Sequence, residues 1–99
     1  MDEDKIIKTL IEMEIPANLS GFEYIVRACQ VIAESPKAFI VKGMRLYEKV
    51  SEEYGLMPAC VERAIRYAIS QGNVNLYPMA GVHKTRNLQF LYGLYYNLK

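Results

Sequence analysis

The stretch Tyr54-Gly55-Leu56-Met57-Pro58 constrains this chain more than any other. A glycine that closes a helical-period segment suits the left-handed C′ position, and a proline shortly after it suits the first turn of a new helix. The spacing therefore predicts a helix ending near Tyr54, a turn of three residues, and a second helix opening at Pro58.

The segment after the turn, Ala59 to Ser70, divides into two faces at 100° per residue. Val61, Ala64, Ile65, Ala68 and Ile69 form a small, flat apolar back, and Glu62, Arg63, Arg66, Tyr67 and Ser70 form the front. Helix, short turn, helix is the layout of a helix-turn-helix, whose second helix lies in a DNA major groove. Residues 46–71 fit that layout, with 59–70 as the recognition helix. Its arginines, glutamate and tyrosine can hydrogen-bond base edges and phosphates. The same face also satisfies itself without a ligand: Glu62 and Arg66 are an i,i+4 pair in the favourable order, and Arg63 can lie over Tyr67. Ala64 and Ala68 are small enough for close packing on the first helix of the pair.

Charge separates the two ends of the chain. The net charge is only +1, yet no acidic residue follows Glu62, whereas Arg63, Arg66, Lys84, Arg86 and Lys99 do. Residues 63–99 therefore carry +5, and residues 1–62, with seven basic and eleven acidic side chains, carry −4. The second part suits a polyanion and the first does not. Five charges are few for tight binding by one copy, and a dimer doubles them.

The remaining elements also read as helices, and no strand pattern emerges. Ile6, Ile7, Leu10 and Met13 give a stripe for a helix over 4–13, opened by acids and ended before Pro16. Ser20-x-x-Glu23 reads as a capping box flanked by a Leu19/Tyr24 staple, so a second helix should begin at Gly21. Its core face is Phe22, Ile25, Val26, Cys29, Ile32 and Ala33. Phe39, Ile40, Met44, Tyr47, Val50 and Tyr54 continue a helical pattern over 37–54, with Gly43 as a point of division. Val74 to Val82 reads as an irregular connector, and a last helix over 87–98 should bury Leu88, Leu91, Tyr95 and Leu98, with Tyr92 and Tyr96 at its border. The expectation is a single all-α domain, a compact bundle of five to six helices with an embedded helix-turn-helix.

Ninety-nine residues suffice for one core, and no apolar run approaches the ~18 residues of a membrane span. The acidic start M-D-E-D-K lacks a signal core, so cytoplasm is the expected location, with no membrane partner. Cys29 and Cys60 have no metal or redox spacing and are expected to be reduced. His83 is the only histidine, and no phosphate loop, metal cluster or nucleophile-base spacing is present. The reading is a non-enzyme with no cofactor, no metal and no small-molecule substrate.

Several of these residues resemble a known family. The run Leu46-Tyr47, Tyr54, Val61-Glu62-Arg63-Ala64-Ile65-Arg66, Ala68-Ile69 and Gly72-Asn73 is similar to the C-terminal effector domain of the master response regulator of sporulation. Ile15-Pro16-Ala17, Gly21 and Tyr24, and later Lys84, Asn87, Phe90 and Leu98, extend the resemblance over most of the chain. It implies an all-helical domain that binds a short promoter element, usually as tandem copies. Carried over, it implies that Glu62, Arg63 and Arg66 face DNA and that Lys84 touches the backbone. Tyr67, Ser70 and Arg86 complete the expected DNA-binding set.

The departures from that family are specific. Ala59 and Cys60 stand where serine and arginine are usual, Tyr67 replaces histidine, and Met57 replaces a capping threonine. The segment between Ile69 and Gly72 is shorter by about one turn. Loss of a guanine-reading arginine costs ~1–3 kcal/mol of discrimination, so a different or looser target is expected. The family's receiver domain is not in this sequence, where Asp2 and Asp4 are the only aspartates, and Met1 with its acidic leader suggests a complete short protein. Two functions follow: a sequence-specific, double-stranded DNA-binding regulator, acting as a homodimer or as tandem copies, or a family remnant that acts by protein contacts with a full-length regulator through its tyrosine-rich last helix.

Overall fold

The computed structural model describes residues 2–37, 43–73 and 87–99, with the side chains of residues 43 and 44 left aside. Among the described residues five helices follow one another: α1 (Glu3–Glu12), α2 (Ser20–Glu34), α3 (Gly43–Tyr54), α4 (Pro58–Gln71) and α5 (Asn87–Leu98). Among the described residues there is no strand, and no helix is long and apolar enough to cross a membrane. The all-α expectation is met. The expected connector over 74–82 lies outside the described residues, as do Phe39 and Ile40.

Local chemistry accounts for the helix ends. Asp2 caps α1, its carboxylate accepting from the Asp4 amide at 3.0 Å. At the other end Glu14 sits at φ 62°, with its amide donating to the Ile11 carbonyl and the Ile15 amide to that of Leu10. This is a Schellman ending with a glutamate where glycine is usual. Gly55, at φ 67°, ends α3 in the same conformation, and the Leu56 amide reaches the Ser51 carbonyl at 2.9 Å. Pro58 then occupies the first turn of α4. The turn between α3 and α4 is the one expected.

The expected capping box is not formed. Leu19 is the N-cap of α2 in an extended conformation, Ser20 is already helical, and no side chain caps the end. Leu19 itself packs against the core. Burying that leucine sets the chain's entry one residue earlier than Ser20 would have chosen, so the apolar contact overrides the hydroxyl cap.

A single core gathers Ile6, Leu10, Ile25, Ile32, Leu46, Val50, Ile65 and Phe90 from all five helices. α2 is the central element and packs against each of the other four. Its approach to α4 is close. A Cβ placed on Gly21 would overlap the Ala64 carbonyl oxygen and lie 2.9 Å from the Ala68 Cβ. The small residues Ala64 and Ala68 of α4 therefore serve its crossing with α2. The far end of α4 docks on α1, where the Asn73 amide donates to the Met13 carbonyl at 2.7 Å. Gly72 lies so close that a Cβ would meet Ile15 Cγ1 at 2.5 Å.

The last helix buries Leu91 and Tyr95 as expected and differs in the rest of its buried face. Asn87, Phe90, Leu91, Leu94 and Tyr95 are buried, whereas Leu88 and Leu98 are only half-buried and Tyr96 is exposed. Leucines and aromatics occur on almost every side of α5, so periodicity alone could not choose the face. Contact with α2 and α4 chooses it. The Tyr92 hydroxyl donates to the Pro36 carbonyl, tying α5 to the end of α2.

Candidate nucleic-acid interface

The divided pattern of Ala59 to Ser70 is realised in α4. Val61, Ile65, Ala68 and Ile69 are buried, Ala64 is half-buried, and Arg63, Arg66, Tyr67 and Ser70 are exposed. Glu62 lies at the edge between the two faces. Tyr67 is 55% exposed, high for an aromatic residue. Ala59 and Cys60 lie exposed in the first turn of the same helix. Met57, the N-cap, supplies no side-chain acceptor to that turn.

The polar groups of the front differ in how free they are. Arg66 Nη2 lies 3.6 Å from Glu62 Oε2, the i,i+4 pair read from the sequence, with the arginine 65% exposed. Arg63 has no ion pair and no ring beneath it among the described residues, so the expected stacking on Tyr67 is not formed. Ser70 donates its hydroxyl to the Tyr67 carbonyl at 2.5 Å, which leaves its oxygen only as an acceptor. Lys84 and Arg86 lie outside the described residues.

Three contacts fix how α3 and α4 present the turn. Arg27 of α2 donates through Nε to Glu53 Oε1 at 2.6 Å, and its guanidinium also lies 3.9 Å from Glu34. The bond to Glu53 holds the Arg27 guanidinium further toward its charged form. The rings of Tyr24 and Tyr54 meet edge to face at 4.9 Å. Burial, with a hydrogen bond to Glu23, pushes the Tyr54 hydroxyl up to about 12. These contacts hold the end of α3 on α2, and Gly21 holds α4 on the same helix.

A polar residue that the sequence reading left without a role stands behind the front. Asn87 is buried at the start of α5, and its Nδ2 donates to the Glu62 carbonyl at 2.9 Å and reaches Glu62 Oε1 at 3.5 Å. Tyr47 of α3 is buried as well, and burial pushes its hydroxyl above its ordinary value. Asn87 lies three and four residues before Phe90 and Leu91, which marks it as a core-face polar residue once the register of α5 is known.

Both thiols are free. Cys29 is buried between helices, which pushes its thiol up to about 12. Among the described residues no group of three His, Cys, Asp or Glu side chains could hold a metal ion. The exposed face thus offers cations, an aromatic ring and hydroxyl and carboxylate acceptors on a rigid helix after a tight turn. Residues 6–92 match the family model described as sporulation initiation factor Spo0A C terminal. With helix pair, turn and polar front laid out along that same span, the chain belongs to the Spo0A C-terminal family.

Proposed function

We propose that this chain is a sequence-selective double-stranded DNA-binding regulator of transcription, related to sporulation control, with α4 as its recognition helix and residues 46–71 as its helix-turn-helix. The observation that carries the reading is the exposed front of α4, where Arg63 and Arg66 project from a helix whose back is buried. Guanidinium groups on a major-groove helix bond guanine edges and phosphates. Tyr67 and Ser70 extend the contact face, and Lys84 and Arg86 are assigned to the phosphate backbone, where basic side chains set register without reading sequence. With Cys60 in place of an arginine, the helix reads DNA through fewer contacts than its relatives. Two copies, as a homodimer or in tandem, bring twice the positive charge to one site. Such a regulator works in the cytoplasm.

Fluorescence anisotropy on promoter-containing duplexes tests this with the wild type beside Arg63→Ala and Arg66→Ala. Binding that falls with salt, and that each substitution weakens, is the expected result. Equal binding by all three proteins, or none at low salt, rejects the recognition-helix model. A salt-independent association with a protein instead of DNA would favour the family remnant.

A further inference from the structure

We infer that Asn87 is a positioning residue of the DNA interface, holding Glu62 so that its carboxylate braces Arg66. The inference rests on the DNA-binding reading above and goes beyond it by assigning a residue that touches no DNA. A polar chain links two helices: Asn87 of α5 donates to Glu62 of α4, and Glu62 faces Arg66 one turn on. It begins in the core, where Asn87 is 7% exposed, and ends on the exposed front.

The two carboxylate oxygens of Glu62 are divided between inside and outside. Oε1 lies toward Asn87 at 3.5 Å, and Oε2 lies toward Arg66 at 3.6 Å. An exposed i,i+4 ion pair alone does little to fix an arginine, because both long side chains lose entropy on pairing. A carboxylate already held from behind by a buried amide has less freedom left to lose. Asn87 is well suited to this, because its donors meet the backbone carbonyl and the side chain of the same residue and so set position and rotamer together. Glu62 then acts as a strut for Arg66, and Arg66 reads the DNA.

The test uses the full chain. Asn87→Asp keeps the shape of the side chain and removes both donors, and Glu62→Gln removes the charge that faces Arg66. Two readouts are taken: the heteronuclear NOE of Arg66 Nε in the free protein, and anisotropy on the preferred duplex and on duplexes changed at single base pairs. Both variants should lower the Arg66 NOE and weaken binding about 3- to 10-fold. The double variant should lose no more than the worse single one, as for residues of one network. Selectivity should relax at one base position, the same in both variants. A purely structural Asn87 would lower the melting temperature and leave Arg66 order and base selectivity unchanged, which overturns the inference. If Asn87→Asp does not fold, the surface variant Glu62→Gln decides: it should move the Asn87 side-chain amide resonances and free Arg66, and an unchanged spectrum overturns the inference. Absence of DNA binding by the wild type would instead reject the DNA reading itself.

Discussion

Gly21 of α2 lies against the backbone carbonyl of Ala64 in α4, with no room for a Cβ between them. The helix that carries the candidate interface is thus seated on α2 through backbone contact, and its partner α3 is tied to the same α2 by Arg27–Glu53 and Tyr24–Tyr54. Gly21→Ala should force α2 and α4 apart. Overpacking against backbone costs about 1–3 kcal/mol, and a domain of this size loses roughly 4–8 °C of melting temperature per kcal/mol. Thermal unfolding followed by circular dichroism checks this; an unchanged melting temperature would show that the helices are not so closely seated.

Glu14 holds a left-handed backbone conformation at φ 62° with an exposed side chain. Residues with a Cβ meet steric cost there that glycine escapes. Glu14→Gly should therefore stabilise the protein by about 1 kcal/mol in urea titration, whereas glycine placed inside a helix destabilises by a similar amount.

The two cysteines should behave differently. Cys60 is exposed on α4 and Cys29 is buried, so iodoacetamide followed by mass spectrometry should modify Cys60 in the native protein and Cys29 only on unfolding. Rapid modification of both under native conditions would contradict the packing of α2.

Cys29 also predicts an alkaline limit. Its thiol ionises near the ordinary 9.0 when unfolded and only at about 12 when folded, so the folded state favours the neutral form. The associated stability is complete below pH 9 and is lost as pH rises toward 12, because the unfolded chain releases its proton first. Melting temperatures measured across that window should fall more steeply for the wild type than for Cys29→Ala, whose starting stability is lower. Parallel slopes would show that the thiol does not contribute.

Arg27 is tied to α3 by an ion pair whose partners are 28% and 37% exposed. At this exposure the pair contributes at most about 1 kcal/mol, and it is screened by salt. Arg27→Met should lose stability at low ionic strength, and the difference from wild type should shrink in 1 M salt. A salt-independent difference would assign the loss to packing of the arginine stem.

The helices and their principal stop were legible because they depend on local chemistry. The Gly55-Leu56-Met57-Pro58 punctuation produced the turn, and the period of Ala59 to Ser70 separated buried Val61 and Ile65 from exposed Arg63 and Arg66. Where local signals competed, they failed: Ser20 offered a cap, but burial of Leu19 set the start of α2. In α5, Leu88 was expected on the buried side and Phe90 was not, and the neighbouring helices chose Phe90.

The sequence by itself determined the helical class, the turn and the two-faced character of α4, since a helix's period and caps involve residues within one or two turns of each other. Only the tertiary structure decided that Gly21 receives Ala64 and Ala68, and that Asn87 reaches the Glu62 carbonyl from 25 residues away. Contacts between helices depend on how whole surfaces fit, and no local spacing encodes which small residue meets which backbone.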